Sequence, residues 1–202
     1  MPQLLNATEV TLADLQERFS LTRSSDPLFF SEVKEPLPPL SSPETQAIDR
    51  IQHNFLDQLQ TRLLIEETVK LVVIAPLLDL AGFYRMPYPI ESEVPIQLAI
   101  PDGSEEIIQG RIDTLGVQRS LWIVLVESKR TQISFHTGIP QALAYLLSRP
   151  SLQHPGYGLV TNGSEFIFLK QVGDRYATSN LFSLLNEGNE LDRVLPLLRR
   201  FG

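Results

Sequence analysis

Two carboxylates and a lysine near the middle of the chain have the types and the spacing of a metal-dependent site. Asp113 ends one strand candidate, and Glu127 and Lys129 directly follow the apolar run 121–126. Side chains at i and i+2 of a strand share a face, so Glu127 and Lys129 are expected roughly 6 to 7 Å apart, with Ser128 turned away. Two converging carboxylates are the usual protein contribution to a Mg²⁺ site that water and phosphate oxygens complete.

These residue types point to phosphodiester hydrolysis. Lys129 beside the acids could orient or deprotonate an attacking water, or stabilise charge in the transition state. A Mg²⁺ ion, with Mn²⁺ as the second candidate, would supply the rest of the chemistry without cysteine or histidine. The sequence has no cysteine, and His53, His136 and His154 show no i, i+3 or i, i+4 pairing. Thiolate and His-x-x-x-His metal sites are therefore excluded.

The predicted hairpin that carries Asp113 and Glu127 leaves one geometric question open. Six consecutive apolar residues at 121–126 predict a strand that is covered on both faces and central in its sheet. A hairpin with its midpoint at 118–120 would place Asp113 opposite residues 124–125 and not opposite Glu127. A wider turn or a bulge is therefore needed to bring the two carboxylates together.

The elements that must position these residues follow an irregular N-terminal segment. We interpret residues 1–42 as an arm and linker, because one short helix at 11–19 is followed by a cluster of prolines. Residues 43–202 then form one domain. A long helix begins at Ser42, and its apolar periodicity runs on to Gly82. Pro76 predicts a break or a kink in this run, so we expect two helices rather than one.

The rest of the chain alternates between strands and helices. A helix is predicted at 139–147, with Pro140 in its first turn and Pro150 just past its end. The closing element is an amphipathic helix at 187–200. The predicted strands are 96–100, 106–113, 121–129, 157–160 and 166–169, the first two joined by a turn at 101–103 and the last two by a turn at 162–164.

Two further pairs of polar residues admit two interpretations each. Gln141 and Tyr145 are four residues apart on one helix and share a face. They either line the site together, or Tyr145 closes a core edge and Gln141 is a surface residue. Glu66 and Glu67 either direct a third carboxylate at the metal or form an ordinary solvated pair.

Composition limits the partners of the protein. With 202 residues, 43% of them hydrophobic, the chain can bury one sizeable core. A net charge of −7 argues against a protein that coats nucleic acid non-specifically. The segment with the acids also contains Arg111, Arg119, Lys129, Arg130 and Arg149, which form either a local basic patch or ordinary solvated surface charge.

Nothing in the sequence indicates membrane insertion. The longest apolar stretch, 71–78, is far shorter than the ~20 residues of a membrane-spanning helix. The first residues lack the basic flank and apolar core of a signal peptide. We therefore expect a soluble, cytoplasmic protein without a membrane partner.

The combined pattern resembles a known superfamily. Asp113, then Glu127-Ser128-Lys129 on an apolar strand, then Gln141 and Tyr145 on the next helix, is similar to the PD-(D/E)XK nucleases, including the Q-x-x-x-Y motif of their RecB-like branch. Residues 66–83 and 158–169 resemble parts of the N-terminal nuclease domain of type I restriction enzyme R subunits. The resemblance implies an α/β fold, a restriction-endonuclease-like α/β/α sandwich around a central mixed sheet.

The resemblance also implies roles for individual residues. Asp113 and Glu127 match the metal-binding acids, Lys129 matches the catalytic lysine, and Gln141 and Tyr145 match the helix motif. The implied activity is magnesium-dependent hydrolysis of DNA, of the restriction or DNA-processing type.

The acid of the first helix matches Glu66 and, less well, Glu67. The sequence departs from the family pattern at Ile112, where the motif has proline, and it contains no Gly-x-x-x-x-Gly-Lys-Ser/Thr loop for a motor of its own. A non-catalytic or partner-dependent DNA-binding module that works with a separate motor or specificity subunit is thus the alternative, and an adaptor that matches by coincidence is a third. With one active site per chain, cutting both strands of a duplex takes either two chains or two successive events, and we expect a homodimer.

Overall fold

A computed structural model describes residues 4–7, 9–61, 64–85, 94–99, 107–112, 115–116, 121–125 and 135–202. These residues form a mixed α/β structure. The strands are β1 (Leu4–Asn6), β2 (Thr22–Arg23), β3 (Val94–Ala99), β4 (Ile107–Ile112), β5 (Leu115–Gly116), β6 (Leu121–Leu125), β7 (Gly156–Thr161), β8 (Glu165–Val172), β9 (Arg175–Thr178) and β10 (Phe182–Ser183). The helices are α1 (Leu12–Phe19), α2 (Ser42–Thr61), α3 (Glu66–Val69), α4 (Ala75–Ala81), α5 (Phe135–Leu147) and α6 (Leu191–Phe201), with a 3-10 turn at Ser31–Val33 and a π-helical segment at Lys70–Ile74.

The larger sheet is open and mixed. Its strand order is β2-β9-β8-β7-β6-β5, and β10 adds to β8 beside β9. β6 runs parallel to β7, and β2 runs parallel to β9, while the other pairs are antiparallel. The predicted apolar strand β6 is therefore paired on both sides, although only the two-residue strand β5 lies beyond it.

A smaller sheet of order β1-β4-β3 accompanies it. The first two predicted strands are confirmed as neighbours: β3 and β4 pair antiparallel, from Val94 with Ile112 to Ala99 with Ile107. β1 pairs in parallel with β4, from Leu4 with Ile107 to Asn6 with Gln109.

Two hydrophobic cores lie on the two faces of the larger sheet. Successive residues of β7 and β8 alternate between them, because successive strand side chains point to opposite faces. Leu159 and Phe168 pack with α2, α4 and α6, whereas Val160 and Leu169 pack with α1 and α5. Helices thus cover both faces, and both cores are built from the same central strands.

Helix α5 is enclosed over its second half. Its residues 142–147 are all buried, which a helix on an open surface would not show. It contacts β6, β7 and β8 of the larger sheet, and α1 and β3 on its other side. The helix begins at Phe135, so the prediction that Pro140 lies in its first turn is wrong, and Pro140 lies inside the helix.

The predicted N-terminal arm, residues 1–42, packs on the rest of the chain over its described residues. α1 begins with a capping box in which Thr11 and Asp14 exchange hydrogen bonds. Leu15 is fully buried against the α5 core, and Phe30 and Val33 are buried in the other core. The segment is therefore folded back on the body of the protein.

The helical region before Gly82 breaks at a different place from the prediction. α2 ends at Thr61, whereas α3, the π segment and α4 follow one another without interruption around Pro76. A π turn shifts the backbone hydrogen bonds by one residue, so the missing N–H of Pro76 leaves no gap in the ladder. The helix ends at Gly82, whose φ of +88° is the left-handed conformation that glycine adopts readily.

No helix in the described ranges is both long enough and apolar enough to cross a membrane.

Candidate functional site

The carboxyl ends of two parallel strands meet at one edge of the larger sheet. Leu125, the last residue of β6, pairs with Thr161, the last residue of β7. The turn that follows is held by its own side chains. Thr161 Oγ1 accepts from the Gly163 N–H at 2.9 Å, and Asn162 Oδ1 accepts from the Ser164 and Glu165 N–H groups at 2.9 Å each. We call this region, Leu125 together with Thr161 and the turn 162–164, the β6–β7 edge.

Helix α3 packs directly on the β6–β7 edge. Gly163 has a φ of +85°, and a Cβ atom built on it would lie 2.1 Å from Val69 Cγ1. Only glycine lets the turn approach the helix this closely. Val69 ends α3, and Glu66, the predicted acid of this helix, begins it three residues earlier. The backbone of α3 therefore brings the predicted acid to the strand ends, although the side chain of Glu66 lies outside the described part. The side chain of Glu67 is exposed.

The three central residues of the predicted site, Asp113, Glu127 and Lys129, lie outside the described residues. The structure describes the strands on either side of them. β4 ends at Ile112, immediately before Asp113, and β6 ends at Leu125, two residues before Glu127.

The hairpin that ends in β6 has the predicted midpoint, but its first strand is β5. The predicted strand that leads to Asp113, β4, lies in the smaller sheet and does not pair with β6 over their described residues. Leu115 pairs with Ile123 and Gly116 pairs with Trp122, so the hairpin is centred on residue 119. The predicted wider turn or bulge would lie within residues 117–120, 113–114 or 126–127, all outside the described residues. Within β6, the buried Leu121 packs in the same core as Val69, so this core extends from β6 to the helix that begins with Glu66.

The predicted pairing of Gln141 and Tyr145 on one helix face is confirmed. Gln141 Nε2 donates to the Tyr145 hydroxyl at 2.9 Å. Tyr145 is fully buried, deeper than a residue at a core edge, while Gln141 is partly buried. Both residues belong to α5, which covers the opposite face of the sheet from α3. Because the sheet lies between α5 and α3, Gln141 and Tyr145 can approach the β6–β7 edge only past the carboxyl ends of the strands.

Arg149 does not contribute to a basic surface patch. It is 8% exposed, and its guanidinium donates to the carbonyls of Leu146 at 2.8 Å and His154 at 3.3 Å, and to Gln171. Burial lowers its pKa. The guanidinium also lies over the backbone of Gly156, where a Cβ would approach to 2.0 Å. Arg149 thus closes the end of α5, and the interpretation of this arginine as a surface charge is wrong. The side chains of the other four basic residues of that segment lie outside the described part.

A partly buried polar cluster on the face of the sheet opposite α5 was not predicted. Glu32 Oε1 accepts from Lys170 Nζ at 2.5 Å and from the Tyr157 hydroxyl at 2.9 Å. Burial alone would raise the pKa of Glu32, but the hydrogen bonds from Lys170, the backbone and Tyr157 outweigh it and lower the pKa. The cluster joins the 3-10 turn to β7 and β8. The only sequence signal for it was a lysine that directly follows the apolar run 166–169.

In the described ranges, no three aspartate, glutamate or histidine side chains are grouped so that they could hold a metal ion. Comparisons of the sequence with models of known protein families and with curated proteins gave no match.

Proposed function

We propose that this protein is a magnesium-dependent nuclease that hydrolyses DNA phosphodiester bonds, built on a restriction-endonuclease-like α/β/α sandwich. The open mixed sheet with helices on both faces supports this fold. The single observation that carries the functional proposal is the close packing of α3 on the β6–β7 edge, through Val69 and Gly163. This contact brings the helix that begins with Glu66 to the end of the strand that precedes Glu127.

The short connections from β5 to Asp113 and from β6 to Glu127 support the same location for the site. Asp113 is two residues from Leu115, which pairs with Ile123, and Glu127 is two residues beyond Leu125. A residue spans at most ~3.6 Å of extended chain. Covalent connection therefore keeps the Cα atoms of both acids within about 8 Å of described positions on β5 and β6.

Strand alternation favours Glu66 as the third acid. If the alternation of β6 continues past its described end, Glu127 and Lys129 share the face of Leu121. Leu121 packs in the core that includes Val69, and not in the core of α5. Glu127 and helix α3 would then lie on the same face of the sheet, and the exposed Glu67 would remain in solvent.

The donor set fits a hard cation, because carboxylate oxygens are the ligands that Mg²⁺ prefers. Asp113, Glu127 and Glu66 would hold the ion. A bound Mg²⁺ would neutralise phosphate charge and lower the pKa of the attacking water. Lys129 would orient that water or stabilise the charge that develops on the phosphate. The water oxygen bonds to phosphorus, the phosphorus bond to the leaving oxygen breaks, and the leaving oxygen takes up a proton.

The adjacent residues Lys129 and Arg130 allow a matched test. Lys129→Ala should reduce cleavage by ~10²-fold or more, because the group that acts on the transition state is lost. Metal binding measured by calorimetry should persist, because the acids remain. Arg130→Ala should have a far smaller effect, because strand alternation would send this charge to the opposite face. Lys129→Arg should fail as well, because a guanidinium cannot replace a compact amine with a tunable pKa.

The assay uses plasmid and short single- and double-stranded DNA, with Mg²⁺ or Mn²⁺ and then with EDTA. Metal-dependent cleavage that Lys129→Ala abolishes supports the proposal. If the folded protein cleaves none of these substrates, or if Lys129→Ala cleaves as well as the wild type, the protein is not a stand-alone nuclease of this type.

The alternative is a DNA-binding module of the same fold that depends on a separate motor or specificity subunit. The observation that favours it is the lack of a phosphate-binding motor loop anywhere in the sequence. DNA binding without any measurable metal binding would select this alternative.

A further inference from the structure

A second site lies at the far end of the larger sheet, where a cavity opens beside β2 and β9. Its volume is about 420 Å³, and its walls are the segment 23–34, the connection from β9 to β10 and the first turn of α6. Phe182 of β10 lines the cavity and pairs with β8, so it lies two strand positions from β7, about 10 Å at ~4.8 Å per strand. The cavity and the β6–β7 edge share no residue, so the two candidate sites are distinct.

Three cationic side chains and one carboxylate line this cavity. The cations are Arg23, Lys34 and Arg193, and the carboxylate is Asp26. In the part of the chain that the structure describes, none of the three cations forms an ion pair. Asp26 is already engaged, because its Oδ1 accepts from the Leu28 N–H at 2.8 Å. The cavity is thus a local excess of positive charge on a protein whose net charge is −7.

Neutral partners hold each cation in place without compensating its charge. Arg23 Nη2 donates to Thr178 Oγ1 at 3.3 Å, and Lys34 Nζ donates to the Pro27 carbonyl at 2.9 Å. The guanidinium carbon of Arg193 lies 5.2 Å from the ring centroid of the buried Phe182. Such contacts restrict the side chains and lower the entropy that a ligand must remove on binding.

We propose that this cavity binds the phosphate group of a nucleotide, held by Arg23, Lys34 and Arg193. Arginine forks match phosphate oxygens in pairs of hydrogen bonds, and a lysine adds a compact positive charge. Like charges that converge in a cleft concentrate their field on an anion that enters it. The cavity volume falls in the range of about 300–1,000 Å³ that is typical of small-molecule sites, so it has room for a sugar and base beside the phosphate.

The phosphate can come from a free nucleotide or from a nucleic acid strand, and the chemistry of recognition is the same. The inference does not rest on the nuclease proposal, because the ligand is bound and not cleaved. All measurements are therefore made in EDTA, which removes metal-dependent cleavage from the outcome.

The test is calorimetry on the full chain with inorganic phosphate, deoxyadenosine monophosphate, and a short single-stranded oligonucleotide with and without a 5′ phosphate. Arg23→Gln and Arg193→Gln should each weaken binding of the monophosphate by roughly tenfold or more, because each removes a charged hydrogen-bond donor. Arg175→Gln is the matched control. It removes the same charge from an exposed residue at the other end of β9 and should leave binding unchanged.

The oligonucleotides identify the source of the phosphate. Binding that requires the 5′ phosphate supports a terminal or free nucleotide. Binding without it, with an affinity that falls with salt by a logarithmic slope of ~0.7 for each phosphate contacted, supports an internal phosphate of a strand. The proposal is wrong if no ligand binds at millimolar concentration, or if Arg175→Gln weakens binding as much as Arg193→Gln does.

Discussion

The packing of α3 on the turn after β7 can be tested by adding a single methyl group. Gly163→Ala places a Cβ where the structure leaves 2.1 Å to Val69 Cγ1, and it does so at a φ of +85°. A non-glycine residue in the left-handed region costs about 1–2 kcal/mol. Val69 is 5% exposed and β-branched on a helix, so it has essentially one rotamer and cannot turn away. Overpacking of this kind adds about 1–3 kcal/mol.

The expected loss of unfolding free energy for Gly163→Ala is therefore roughly 2–5 kcal/mol. Gly188→Ala is the control for the backbone contribution. Gly188 has a φ of +90°, and a Cβ there meets nothing within 4 Å. This variant should lose only about 1–2 kcal/mol. Urea unfolding followed by circular dichroism measures both values, with the m-value checking that the transition keeps its two-state form.

A double-mutant cycle isolates the steric contribution. Val69→Ala alone should cost about 1–3 kcal/mol through lost burial and a small cavity. In the double variant the added Cβ no longer meets Val69 Cγ1, so the combined loss should fall short of the sum by about 1–3 kcal/mol. Strict additivity, or equal losses for Gly163→Ala and Gly188→Ala, would refute the contact. It would also remove the main support for an acid from α3 at the strand ends.

Three further predictions follow from the described residues and from the sequence. Since the pKa of Glu32 is lowered in the folded protein, its stabilising effect is present at neutral pH and is lost as the pH falls below the ordinary value of 4.5. Glu32→Gln should accordingly be less stable at pH 7 and lose less stability on acidification, which urea unfolding between pH 7 and pH 3 would show; parallel curves would contradict it. Tyr145→Phe should cost about 0.5–1.5 kcal/mol, because Gln141 loses its 2.9 Å acceptor. If the pair serves catalysis, cleavage by Tyr145→Phe should fall further than this loss of stability explains, and an unchanged cleavage rate would make the hydrogen bond purely structural. Light scattering at micromolar concentration should give the mass of a dimer, and a monomer mass would eliminate the predicted homodimer.

Local sequence patterns predicted the elements that depend on local physics. The helix at 11–19 has the capping residue Thr11 and a helical apolar spacing, and α1 begins and ends where they indicate. The hairpin centred on residue 119 follows from its flanking apolar runs. The i, i+4 spacing of Gln141 and Tyr145 likewise placed them in direct contact.

The features that were missed depend on contacts and backbone geometry that short sequence patterns do not predict. Pro76 was expected to interrupt a helix, but a π segment before it accommodates the lost hydrogen bond. Arg149 looks like a surface charge in sequence, and only the fold provides the carbonyls that surround it. The cations of the phosphate cavity lie on the segment 23–34 and on α6, so no spacing rule could have grouped Arg23 with Arg193.

The pairing of β2 with β9 has a consequence for how the chain folds. Arg23 and Thr178, which lie at the ends of these strands, are 155 residues apart in sequence. Closing so long a loop costs conformational entropy before the contact is gained, so pairings of this kind slow folding. Until β9 is in place, β2 lacks its partner strand, and Phe30 and Val33 lack part of the core that buries them. The N-terminal ~30 residues should therefore be among the last to gain protection from hydrogen exchange during refolding. Once folded, the two ends of the chain should unfold together as one cooperative unit.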